Sequence, residues 1–171
     1  MIRFSGLSLM RGTKPLFDLA DATINPGEKV GLVGPNGAGK TSLFSLLMKE
    51  LHGGDIDFPA GWRISHVAQE TPALQRRALD YAIDGDTHLR KLEAELAQRE
   101  SEPQDAASGM RIAELHTALA DAGAYTVRSR AEQLLSGLGF STEEMQREVA
   151  TFSGGWRMRL NLAQALMCPS D

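Results

Sequence analysis

Gly34-Pro35-Asn36-Gly37-Ala38-Gly39-Lys40-Thr41 fits G-x-x-x-x-G-K-[ST], the pattern of a phosphate-binding loop. The flanks suit it: Lys29-Val30-Gly31-Leu32-Val33 predicts a short buried strand, and Thr41 to Met48 has the length and apolar spacing of a helix. Gly34, Gly37 and Gly39 let the backbone curl until successive N–H groups face one anion. The helix that follows turns its positive end to the same place. A chance match in a glycine-rich turn is the bland alternative, and strand, loop and helix in register argue against it. The stretch predicts a binder of nucleoside triphosphates. Lys40 is placed to neutralise the β- and γ-phosphates, and the Thr41 hydroxyl to reach Mg²⁺.

The 171 residues suffice for one ordinary domain, and 42% hydrophobic with 23% charged residues is a globular balance. No apolar run approaches the ~20 residues needed to span a bilayer, and the first residues lack the design of a secretory signal. One cysteine, Cys168, cannot form an internal disulfide, which is compatible with the cytoplasm. A net charge of −4 argues against polyanion binding by charge alone. Cys168-Pro169-Ser170-Asp171 follows a predicted helix directly, which suggests a piece of a longer chain.

In chain order, Ile2, Phe4, Leu7 and Leu9 predict an irregular half-buried strand over residues 2–9. Lys14 to Ile24 predicts a second, and Asn25-Pro26-Gly27 a turn. Further strands are expected at Glu28 to Val33, Asp55 to Phe58 and Arg63 to Ala68. From Arg76 the periodicity becomes helical. His88 to Glu100, with Leu89, Leu92 and Leu96, and Met110 to Ala122, with Ala113, Leu115 and Leu119, predict an antiparallel hairpin broken at residues 101–105. Residues 84–124 hold nine acids against four bases, a net charge of −5. That pattern suits a solvated helical pair or an arm that docks on a partner. Arg128 to Gly137 predicts another helix, with Ala131, Leu134 and Leu135 inward, and Ser141-Thr142-Glu143-Glu144 a helix start. The division this implies is 1–83 for a β-rich phosphate-binding lobe, 84–124 for the hairpin and 125–171 for a further helical part.

Thr151-Phe152-Ser153-Gly154-Gly155-Trp156-Arg157 leads into a helix over Met158 to Leu166. A serine and two glycines there would make a second anion cradle. Alone, such a start reads as a plain N-cap; downstream of a phosphate-binding loop it becomes specific. Here the chain resembles the ATP-binding cassette (ABC) ATPases along essentially its whole length. Gly34 to Thr41 looks like their Walker A motif, Gln69 like the Q-loop glutamine, and Phe152-Ser153-Gly154-Gly155-Trp156 like the signature. It looks most like the ABC-F subfamily, soluble proteins with two cassettes in one chain. The Gly-Gly-Trp-Arg-Met-Arg-Leu form of the signature helix and the helical insertion between Gln69 and Ser153 carry that likeness.

The resemblance implies an α/β P-loop NTPase fold with an N-terminal antiparallel β subdomain, an inserted helical subdomain and a truncated core. It implies ATP and Mg²⁺ as cofactors. Gly34, Pro35, Asn36, Gly37, Ala38, Gly39, Lys40, Thr41 and Ser42 would hold phosphates and metal, and Gln69 the metal or the attacking water. Ser153, Gly154 and Gly155 would close over ATP on a second cassette. Ribosomes near the tRNA exit site are the implied partner, and no membrane segment is expected. No strand ending in Asp-Glu follows the signature helix. That predicts poor hydrolysis by this segment alone and an unpaired sheet edge open to association. The family's adenine-stacking aromatic would fall near Arg11, which either stacks by its guanidinium plane or leaves adenine loosely held. Two readings compete with a translation ATPase. One is the ATPase subunit of a membrane transporter; the other, a DNA-maintenance ATPase, lacks visible coiled-coil heptads.

Overall fold

Gly12 and Thr13 turn the chain between β1 (Ile2–Arg11) and β2 (Lys14–Ile24), which pair antiparallel from Arg11↔Lys14 to Ile2↔Ile24. Gly12 has φ +62°, a conformation that two-residue hairpin loops demand and glycine adopts freely. The computed structural model describes residues 1–48, 55–59, 61–69, 73–102 and 106–170. They form two units, residues 1–64 and 65–170, each described by itself.

In the first unit, β3 (Asp55–Asp57) joins the other edge of β1, so the sheet order is β2-β1-β3, antiparallel throughout. The irregular apolar spacing of β1 has a structural cause. Even positions Ile2 and Phe4 give way to odd positions Leu7 and Leu9, and the register shifts between Phe4 and Leu7. A strand's side chains alternate with period two, so one extra residue flips the phase. The bulge thereby keeps Phe4, Leu7 and Leu9 buried on one core. Asp21 steadies it by accepting from the Gly6 N–H at 2.8 Å. The Asn25-Pro26-Gly27 turn forms as expected: the Glu28 N–H donates to the Asn25 carbonyl at 3.1 Å, and Gly27 has φ +76°. Onto this core α1 (Lys40–Leu47) lays Leu43, Leu46 and Leu47.

Two expected strands are absent. Residues 28–33 form no strand, and Val30, Leu32 and Val33 are exposed, Val33 at 91%. Residues 63–68 form none either. An apolar run becomes a strand only beside a neighbour that completes its ladder. Among the described residues, neither run has one.

The second unit is helical: α2 (Ala78–Ile83), α3 (Thr87–Ser101), α4 (Ala106–Asp121), α5 (Val127–Gly137), α6 (Thr142–Met145) and α7 (Gly154–Met167). Its core takes Ala78, Tyr81 and Ala82 from α2, Ala131 and Leu135 from α5, and Leu160, Ala163 and Met167 from α7. The expected start at Ser141 is a complete capping box. Its hydroxyl accepts from the Glu144 N–H at 3.2 Å, and the Glu144 carboxylate accepts from the Ser141 N–H at 2.8 Å. Those bonds favour the charged form, with Arg147 adding a smaller pull, and hold Glu144 below the ordinary glutamate value.

Helices α3 and α4 form the expected hairpin, with Arg111 of α4 bonded to Glu95 of α3 at 2.8 Å. Its base is buried at Leu89, Leu115 and Leu119, whereas Met110 is 70% exposed. The hairpin is also less anionic on its surface than its composition. Asp86 is a buried N-cap accepting from the Leu89 N–H at 3.1 Å, and Asp84 is paired with Arg76 and Arg90. Gly85, between them, packs on the backbone of Gln164 with no room for a side chain.

Candidate functional site

The phosphate-binding loop is exposed from Gly34 to Ala38 and enters α1 through Gly39, its left-handed N-cap at φ +94°. A Cβ at Gly39 would stand 3.2 Å from the Leu16 Cβ and 3.3 Å from the Phe17 ring, so both backbone and packing require glycine there. Gly37 has φ +80°, and the Ala38 N–H donates to the Pro35 carbonyl at 3.3 Å, closing the loop. Lys40 opens the helix, and its ammonium folds back to donate to the Gly34 carbonyl at 2.7 Å and the Pro35 carbonyl at 2.9 Å. The first intrahelical bond is Leu43 N–H to Gly39 C=O, so the N–H groups of Lys40, Thr41 and Ser42 precede the ladder. No acid lies in that first turn, so the positive helix end is uncompensated. Thr41 is exposed and Ser42 half-buried. Loop, helix end and ammonium thus present donors and positive charge together, which can hold a polyphosphate. The backbone of Arg11 ends β1, but its side chain lies outside the described residues.

The second unit holds Gln69 and the signature. Gln69 is exposed. Ser153 is the N-cap of α7, yet its hydroxyl makes no capping bond, and again no acid stands in the first turn. At Gly154 and Gly155 an added Cβ would meet nothing within 4 Å. Glycine near a helix start costs stability, roughly 1 kcal/mol against alanine in a helix interior, and the packing of the described residues does not ask for it.

Trp156, one residue on, is turned inward rather than offered. It meets the Phe140 ring edge-on at 4.8 Å, Phe140 meets Phe152 at 5.6 Å, and the Arg159 guanidinium lies 4.6 Å over the indole. Arg159 also donates to the Leu138 carbonyl at 3.2 Å. This cluster sets the start of α7 against the α5–α6 turn. Phe140 and Arg159 escaped the sequence reading because their role appears only once three separated segments meet.

The expected residues therefore fall into two groups: Gly34 to Ser42 on the β unit, and Gln69 with Ser153 to Gly155 on the helical one. No helix among the described residues is long and apolar enough to cross a membrane.

Comparison with known proteins identifies the family. The family model described as ABC transporter matches residues 17–171. "Probable ATP-binding protein YheS" of Haemophilus influenzae is 57% identical over 100% of this chain and 26% of its own length. Its namesake in Escherichia coli strain K12 is 53% identical over the same shares. "ATP-binding cassette sub-family F member 3" of Homo sapiens is 33% identical over 99% of this chain and 24% of its own. The chain spans about a quarter of the curated relatives it matches. A solved metal-chelate type ABC transporter in an inward-facing conformation shares the fold at TM-score 0.63 and 22% identity, over 97% of this chain and 55% of its own. The chain belongs to the ABC transporter family, on its ABC-F branch, and carries the α/β architecture of that ATP-binding cassette.

Proposed function

We propose that this chain is the ATP-binding part of an ABC-F ATPase that acts on ribosomes through ATP-driven closure of two cassettes. The observation that carries the reading is the start of α7. Ser153 leaves its hydroxyl out of the cap, and Gly154 and Gly155 open onto space that no described residue fills. A donor-rich helix end of that kind suits the γ-phosphate of ATP held on an opposing cassette.

In this reading residues 34–42 hold ATP, with Lys40 on the β- and γ-phosphates, Thr41 and Gln69 on Mg²⁺, and Arg11 stacked on adenine. Phosphate contacts from two surfaces make ATP the glue between cassettes, and hydrolysis releases them. Residues 84–124, whose base is buried in the helical unit rather than forming a separate part, act as its docking arm, and the expected lobe over 1–83 gives up α2 to that unit. Arg90, Lys91 and Arg99 are its contacts to the ribosome or tRNA. The protein works in the cytoplasm, and exposed Val30, Leu32 and Val33 would let this segment self-associate when alone.

The test is co-sedimentation of the full protein carrying this chain with ribosomes, with a slowly hydrolysed ATP analogue and without. Analogue-dependent pelleting that Lys40→Ala abolishes is the expected result. Absence of pelleting in both conditions overturns the ribosomal reading and favours the ATPase subunit of a membrane transporter.

A further inference from the structure

The middle of α7 carries one residue that its apolar pattern does not ask for. Asn161 is 2% exposed and stands beside Leu160 and near Ala163, both fully buried. A buried amide is unfavourable unless its bonds are made. Here they are: Nδ2 donates to the Ala68 carbonyl at 2.9 Å, and Oδ1 accepts from the Tyr81 hydroxyl at 2.8 Å. A carbonyl can only accept, so Ala68 fixes which end of the amide faces it, and Tyr81 must then be the donor.

Tyr81 is equipped for that part. Burial, with the nearby Asp84 charge second, raises its pKa, so the phenol keeps its proton. Gln164 holds the Tyr81 backbone by donating to its carbonyl at 3.1 Å. A second tie lies one turn further along α7, where the Ser65 hydroxyl donates to the Ala165 carbonyl at 2.6 Å. Residues 65–68 have no strand ladder; these side-chain bonds attach them to α7 instead.

The Ala68 carbonyl and the Gln69 N–H are two sides of one planar peptide unit. Whatever holds the first sets the plane from which Gln69 departs. We propose that Asn161, backed by Tyr81, is a positioning residue that holds Gln69 in place from the signature helix. Its consequence for turnover rests on the nucleotide role given to Gln69 above. An apolar residue at 161 would fill the same space and leave the Ala68 carbonyl unheld.

The test uses the full protein carrying this chain and reads two quantities: amide hydrogen exchange over residues 65–69, and steady-state MgATP hydrolysis. In Asn161→Leu, exchange there quickens by about tenfold or more while α5 and α7 stay protected. kcat falls by about tenfold with KM within about twofold, Gln69→Ala falls alike, and the combined variant falls no further. Tyr81→Phe/Asn161→Leu separates positioning from packing, because replacing both buried partners by apolar groups is nearly neutral for stability. It should recover thermal stability, yet keep the fast exchange and low kcat. Recovery of wild-type exchange and turnover in that variant overturns the proposal, as does unchanged exchange in Asn161→Leu. A wild-type protein that fails to hydrolyse ATP would sink the proposed function instead, and the exchange measurement would still decide the role of Asn161.

Discussion

The two units carry the two groups of candidate residues on very different foundations. Among the described residues, the helical unit gathers seventeen buried hydrophobic residues into one cluster, whereas the β unit gathers four around three strands and α1. The difference follows from how each satisfies its backbone. A helix bonds within itself and needs only a face to bury. A strand is complete only beside its neighbours, and Val30, Leu32 and Val33 show what happens without one. Rigidity under the signature helix is thus internal to this chain, while the phosphate-binding loop rests on a thinner base.

Each unit contains one tryptophan, Trp62 and Trp156, so single-tryptophan variants report on the halves separately. The largest effect is expected at Leu160, fully buried in α7. Leu160→Ala should cost the helical unit about 4 kcal/mol by urea unfolding followed at Trp156. Gly85→Ala comes next at roughly 3 kcal/mol, since the new methyl would collide with the Gln164 backbone. Leu46→Ala should remove about 2–3 kcal/mol from the β unit, followed at Trp62. An equal shift of both tryptophan signals by any of these would break the comparison, because it would mean a single cooperative unit.

A functional counterpart sharpens it. Lys40→Ala should abolish binding of a fluorescent ATP analogue and leave both unfolding midpoints nearly in place, because the ammonium touches only exposed loop carbonyls. A large fall in the Trp62 midpoint would make Lys40 a structural residue. The smallest effect concerns pH. The folded state lowers the pKa of Glu144, so its capping contribution is complete above the ordinary glutamate value and lost as pH falls through the folded one. The stability difference between wild type and Glu144→Ala should therefore shrink on acidification. A difference that persists at low pH would assign the effect to helix propensity rather than charge.

Local signals carried the sequence reading far in the helical unit. Ser141 with Glu144, and Ser153 before a long periodic run, mark helix starts by chemistry confined to one turn. They carried it less far in the sheet. Residues 2–9 showed an irregularity but not the bulge that explains it, and the runs at 28–33 and 63–68 had strand composition without strand partners. Asn161 left a trace as a polar residue inside Leu160-Asn161-Leu162-Ala163. Its partners Tyr81 and Ala68 are 80 and 93 residues away, beyond any local pattern.

What could be read without coordinates was the family and its motifs: a loop of glycines ending in Lys40-Thr41, a Ser153-Gly154-Gly155 helix start, and the type of most elements. Those depend on neighbours within a turn or two of chain. The tertiary structure alone decided which apolar runs obtain a ladder, that Asp86 is a buried cap rather than surface charge, that Trp156 packs inward, and that Asn161 holds the peptide before Gln69. Each of these turns on which distant segments meet, and burial and hydrogen bonding are settled only by that meeting.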